Sequence, residues 1–205
     1  MPERTAVVLA GGRSTRFGDE DKAVAPLAGT PMIRRVVDRV APAVDAVVVN
    51  CRAEQVPAIS DALDGAAVPV RFAEDEYPDE GPMAGMATGL RAVDTEYAFV
   101  VACDMPFVDA DFVAYLFERA AGHDAAVPRP EQWFETTHAV YRAAAMADAC
   151  EAALAAGEER IVAPLFDLDF VVVDAAEVRD HGHPHTFENC NTREDFVDAE
   201  RRLEG

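Results

Sequence analysis

Lysine is almost missing from this 205-residue chain: Lys22 is the only one, and every other basic residue is arginine. Basic residues of either kind are scarce, 18 against 38 acidic ones, for a formal net charge of −20. That balance excludes nucleic-acid binding, which needs basic faces to offset phosphates, and binding to anionic membranes. Paired cysteines are missing too. Cys51, Cys103, Cys150 and Cys190 lie far apart and form no C-x-x-C pair, which excludes the common zinc and redox motifs and leaves buried free thiols. No run approaches the roughly 18 apolar residues of a membrane span. The first apolar run is short and leads straight into a glycine loop, unlike a secretory signal, so a cytoplasmic location is expected. Repeats, low-complexity segments and linkers are also lacking, so one domain over residues 1–205 is expected.

What is present is a good core composition: half the residues are hydrophobic, enough to build a proper interior. The acidic residues are spread through segments with apolar periodicity, which places them on the surface of a folded domain. Abundant Asp and Glu with one Lys and much Ala and Val fit a protein of a high-salt cytoplasm, whose self-repulsion needs screening. Apolar runs at 5–10, 45–51, 68–75 and 97–104 predict strands, and they alternate with predicted helices at 31–43, 55–65, 82–93 and 109–122. The second half predicts strands at 124–128, 137–142 and 170–175, and helices at 143–157, 161–168 and 192–204, the last with Thr192 as N-cap. Alternating strands and helices imply a parallel sheet covered on both faces, and the valine-rich strands suit burial on both sides.

The loop LAGGRSTRFGDEDK, residues 9–22, follows the first strand at the end where ligands bind in open α/β sheets. It has neither the G-x-G-x-x-G spacing nor a Walker Gly-Lys-Ser/Thr. The means of holding phosphate are present nonetheless. Gly11 and Gly12 permit close backbone approach, amide groups of such a loop can cradle anions, and Arg16 and Lys22 bring positive charge to an otherwise negative chain. HGHPH at 181–185 reads as a polar loop, His138 as a core or groove histidine. No Ser-His-Asp constellation is visible.

The pattern GG-R-S-T-R-F-G…DK resembles the signature loop of the GTA-type nucleotidyltransferases. GPMAGMATGL (81–90), CDMPF (103–107), AAGEERIV (155–162) and FENCNTREDF (187–196) resemble motifs of the branch that makes the molybdenum guanine dinucleotide cofactor. The likeness runs in order along nearly the whole chain. Arg193 stands where that branch usually has proline, Asp19-Glu20 makes the loop more acidic than is common, and 124–136 matches poorly. The resemblance implies a three-layer, Rossmann-like open and mostly parallel sheet with helices on both faces. It further implies a nucleotide-binding half at 1–108 and an acceptor-binding half at 109–205.

The reaction implied is transfer of GMP from GTP to the phosphate of molybdopterin, releasing pyrophosphate, with Mg²⁺ as cofactor. Asp104, at the end of a buried strand, is the expected metal ligand. Lys22 is expected on the β- and γ-phosphates, with Arg16 completing the clamp. The backbone of Leu9, Ala10, Gly11 and Gly12 would lie against the nucleotide. By resemblance Asn50 and Asp75 line the GTP site, and Asn189 and Asn191 lie on the pterin side, facing one way if the chain is extended there. Molybdoenzymes and other cofactor-biosynthesis proteins are the protein partners implied. CTP with the same pterin, GTP with a cobinamide phosphate, and a nonenzymatic nucleotide-binding regulator are the alternatives. The intact Asp104 and Lys22 argue against the last.

Overall fold

The computed structural model describes residues 3–12, 21–75, 81–183 and 185–204. Strand β1 (Thr5–Leu9) is a short β-branched and apolar run, almost wholly buried. A two-residue ribbon follows, β2 (Pro26–Leu27) against β3 (Thr30–Pro31). Its turn puts both Ala28 and Gly29 at positive φ, as a tight hairpin of this kind requires. Helix α1 (Met32–Val40) buries Met32, Ile33, Val36, Val37 and Val40, the spacing of one helical face. Then come β4 (Ala46–Cys51), α2 (Val56–Ala62), β5 (Val70–Glu74), α3 (Pro82–Arg91) and β6 (Tyr97–Ala102). The second half holds α4 (Ala110–Ala120), β7 (Ala125–Arg129), β8 (His138–Arg142), α5 (Ala143–Ala155), β9 (Phe170–Asp174), α6 (Ala175–His181) and α7 (Arg193–Glu204).

Among the described residues the main sheet has seven strands in the order β5-β4-β1-β6-β8-β7-β9. β1 sits in its middle, parallel to both β4 and β6. Its alternate side chains split between the two layers: Ala6 and Val8 pack with α1 and α4, Val7 with α3 and α5. A third, smaller cluster seats α7 on the β2–β3 ribbon through Leu27, Phe107, Phe196 and Ala199. The sheet is thus covered by helices on both faces, as expected.

Two features depart from the expectations of alternation and periodicity, and one adds to them. β8 runs antiparallel to β6 and β7, which departs from the parallel sheet that strand–helix alternation implies and agrees with the mostly parallel sheet implied by the resemblance. The segment expected as a helix at 161–168 is a tight 3₁₀ turn, Ala163–Asp167, opened by Pro164. Helix α6 fills the stretch between the strand expected at 170–175 and the polar loop expected at 181–185, to which no element was assigned. Asp174 caps it in a reciprocal box with Glu177, a signal legible in D-A-A-E but buried inside an apolar strand ending. Asp109 caps α4 and Thr192 opens α7, its hydroxyl accepting from Asp195 N at 3.1 Å.

No described helix is long and apolar enough to cross a membrane. The four cysteines are free. Burial pushes the thiols of Cys51, Cys150 and Cys190 up to about 12, and that of Cys103 upward as well, so none is an activated nucleophile.

Candidate functional site

The carboxyl ends of β1, β4, β5 and β6 lie together, and the backbone past them is knitted into one edge. Ala10 N donates to Asn50 O at 2.8 Å, Asp75 N to Cys51 O at 3.0 Å, and Cys103 N to Leu9 O at 3.0 Å. Two clusters of predicted residues stand on this edge.

The first joins Lys22, Asp104 and Asn191. Lys22 is 8% exposed, and its ammonium donates to Asp104 Oδ2 at 2.7 Å and to Asn191 Oδ1 at 2.9 Å. Three distant pieces of chain meet here: the loop after β1, the end of β6, and the entry to α7. The last piece is tied in by Cys190 N, which donates to Asp104 O at 2.9 Å. Asp104 Oδ1 is buried and has no hydrogen-bond partner among the described residues. A buried carboxylate oxygen without a donor is costly unless a ligand completes it. Hard oxygen donors suit Mg²⁺, which takes one or two carboxylates with substrate phosphates and water. Among the described residues no group of three His, Cys, Asp or Glu side chains could hold a metal by itself. Asp104 would therefore be the protein's anchor for an ion completed by substrate.

The second cluster joins Gly11, Asn50 and Asp75. Asn50 is 1% exposed, and its amide donates to Asp75 Oδ1 at 2.7 Å and Ala73 O at 3.2 Å. The glycines around it are there for space. A Cβ on Gly11 would lie 2.5 Å from Asp75 Oδ2, and one on Gly85 of α3 would lie 2.4 Å from Asn50 Oδ1. The N-terminus of α3, opened by Pro82, has its unpaired amides in the same part of the chain as Gly85.

Sequence reasoning missed the residues that brace the 9–12 segment. Gln55, 3% exposed, donates to Ala10 O at 3.0 Å and to Asp21 Oδ2 at 2.7 Å, while Arg52 donates to Gly11 O. Nothing local marks these two; they read as ordinary polar residues opening a helix. The Gly85/Gly89 pair could have been found, since two glycines four apart inside a helix suggest close approach of another element. A Cβ on Gly89 would lie 2.5 Å from Val7 Cγ1.

Asn189 and Asn191 make different contacts. Asn191 turns its Oδ1 to Lys22, which Asn189 does not contact. Asn189 is exposed and its amide meets Phe187 O at 3.4 Å. Gly12 is exposed at the tip of the segment. Arg16 lies outside the described residues. His181 stacks on Tyr115 with ring centres 3.9 Å apart. His138 is wholly buried among Phe99, Phe112 and Phe187, and burial pushes its pKa down to about 3. Both histidines serve the packing.

Comparison with known proteins agrees with this geometry. The family model of the MobA-like NTP transferase domain matches residues 6–169. The chain is 52% identical over 203 residues, 99% of its length and 100% of the relative's, to the "Probable molybdenum cofactor guanylyltransferase" of Natronomonas pharaonis. It is 41% identical to the protein of the same name from Haloferax mediterranei, over 94% of this chain and 91% of that one. Among solved structures, molybdopterin-guanine dinucleotide biosynthesis protein A from Archaeoglobus fulgidus superposes with a TM-score of 0.80 at 28% identity, covering 98% of each chain.

Proposed function

The chain belongs to the family of MobA-like NTP transferase domains, and on that premise we propose that it transfers GMP from GTP to the phosphate of molybdopterin, releasing pyrophosphate. The observation that carries this is the meeting of Lys22, Asp104 and Asn191 at the sheet edge, with one oxygen of Asp104 buried and unpartnered. The relatives from Natronomonas pharaonis and Haloferax mediterranei, guanylyltransferases by name, support the choice of GTP and of the pterin acceptor.

The acceptor phosphate attacks the α-phosphorus of GTP and pyrophosphate leaves from the opposite side. In such a transfer the protein's work is positioning and charge stabilisation. The Leu9–Gly12 backbone, held from behind by Arg52 and Gln55, lies against the nucleotide. Asn50 and Asp75 line its pocket, and the Pro82 end of α3 adds unpaired amides suited to an anion. Lys22 offers its ammonium to the β- and γ-phosphates and stabilises the leaving pyrophosphate. A compact ammonium on a flexible stem can leave Asp104 for phosphate and return, which a planar guanidinium does less readily. Mg²⁺ held by Asp104 would offset the phosphate charge in a chain whose overall field repels it. Arg16 would complete the clamp, and Asn189 and Asn191 would meet the acceptor side. Residues 1–108 thus serve the nucleotide and 109–205 the acceptor, in a cytoplasmic enzyme that hands its product to molybdoenzymes or to other proteins of cofactor assembly.

The test is pyrophosphate release from each of the four NTPs with Mg²⁺ and molybdopterin in molar KCl. Turnover is expected with GTP and to be nearly abolished in Asp104→Asn at unchanged circular dichroism. Turnover with CTP alone, or with cobinamide phosphate in place of the pterin, would overturn the assignment.

A further inference from the structure

Trp133 is the chain's only tryptophan and, among the described residues, the most exposed large apolar side chain, at 72%. It sits in the segment joining β7 to β8. Because β8 is antiparallel, that segment emerges at the ligand edge of the sheet. Val101 of β6 pairs with His138, and Ala102 N donates to Thr137 O at 3.3 Å. Asp104 follows two residues later. The two ends of this segment, at Arg129 and His138, therefore lie about one to two strand spacings, about 5–10 Å, to the side of β6.

This segment is held firmly while two of its side chains are left open. Glu135 N donates to Pro128 O at 2.9 Å and Glu135 O accepts from His138 N at 3.0 Å. Phe134 packs edge-on to Phe166 and Phe170, with the Arg129 guanidinium 5.5 Å from its ring centre. Trp133 and Glu135 flank this anchored Phe134. The Glu135 carboxylate is partly buried and has no hydrogen bond or ion pair among the described residues. Burial and the charge of Glu131 push its pKa up, so a donor brought to it would be favourable.

We propose that Trp133 and Glu135 form the seat for the amino-pyrimidinone ring of the acceptor: the indole stacks on the ring, and the Glu135 carboxylate accepts from its N–H groups. This rests on the transferase function proposed above. A flat heteroaromatic ring with adjacent N–H donors fits a stacking face beside an unpartnered carboxylate. The segment enters β8 beside the end of β6, two residues before Asp104, which puts the seat on the same sheet edge as the proposed phosphate site. Guanine presents the same N–H edge, so the nucleotide base is the other source of this chemistry. Its place at Asn50 and Asp75, on the far side of β1 from β8, favours the acceptor here.

Trp133 carries its own reporter. Titration with a pterin monophosphate, without nucleotide, is expected to quench its emission, and in Glu135→Gln the midpoint is expected about tenfold higher. In turnover, Trp133→Ala is expected to raise the acceptor KM about tenfold, with Trp133→Phe recovering part of the loss. KM for GTP and kcat at saturating acceptor should stay within about twofold, since the seat acts through ground-state binding. Quenching by GTP alone as strong as by the pterin, or no quenching by the pterin, would overturn the seat. Wild-type turnover with unchanged acceptor KM in both Trp133→Ala and Glu135→Gln would do the same while leaving the transferase function intact. Absence of any wild-type turnover would count against that function instead, and the quenching titration would still decide the seat.

Discussion

Gly85 offers the sharpest test of how the nucleotide side of the site is built. In an exposed helix, Gly→Ala gains about 1 kcal/mol of helix propensity. In α3 the new Cβ would lie 2.4 Å from Asn50 Oδ1 and 3.3 Å from its Cγ. Asn50 cannot step aside freely, because it is 1% exposed and its amide is held by Asp75 and Ala73. Overpacking costs about 1–3 kcal/mol, and each strained or lost hydrogen bond costs about 1 more. Gly85→Ala is therefore expected to destabilise by about 2–3 kcal/mol net. Asn50→Ala alone removes two hydrogen bonds and is expected to cost about 2 kcal/mol. In the double variant the clash is gone and the helix gain is expressed, so its cost should fall to about 1 kcal/mol. The singles thus sum to about 4–5 kcal/mol, and the cycle should show a coupling of about 3–4 kcal/mol. Urea unfolding in molar KCl, with equal m-values across the four proteins, measures it. Additivity within about 0.5 kcal/mol, or a stabilised Gly85→Ala, would refute the contact. Gly85→Ala should also raise KM for GTP by about tenfold or more, since the side chain it displaces lines the proposed base pocket.

Three further outcomes are expected. Lys22→Arg keeps the charge, but the guanidinium must fit a place that is 8% exposed between Asp104 and Asn191. kcat/KM should fall by about tenfold or more, whereas the surface swap Arg39→Lys should leave it unchanged; equal rates would make the lone lysine an accident of composition. His138 titrates near 3 when folded, against 6.5 when unfolded. The unfolded chain then binds the extra proton between those values, and stability present above pH 6.5 is lost as pH falls toward 3. Between pH 7.5 and 5 the wild type should lose about 2 kcal/mol more than His138→Phe, read from urea midpoints at each pH; parallel losses would refute it. The net charge of −20 predicts a melting temperature that rises from dilute buffer to molar KCl as self-repulsion is screened, and a flat curve would remove the high-salt interpretation.

The sequence by itself carried the order of elements and the places where ligands gather. Val-rich runs, a five-position apolar face in α1 and the Thr192 cap are local signals, decided within a few residues by backbone sterics and periodicity. The glycine loop and CDMPF are likewise short, and they marked Lys22 and Asp104 separately. Their meeting was not legible, because a 2.7 Å contact across 82 positions depends on β1 and β6 lying side by side. Asn191 reaches the same lysine from 169 positions away. Strand direction was equally invisible. A run such as His138–Arg142 reads the same parallel or antiparallel, and only the pairing with β6 and β7 fixes it. That reversal carries the segment with Trp133 and Glu135 to the ligand edge. The β2–β3 ribbon is too short for periodicity and exists because α7 packs on it. Local physics chose the pieces and marked the chemistry; tertiary packing chose which distant side chains share a site.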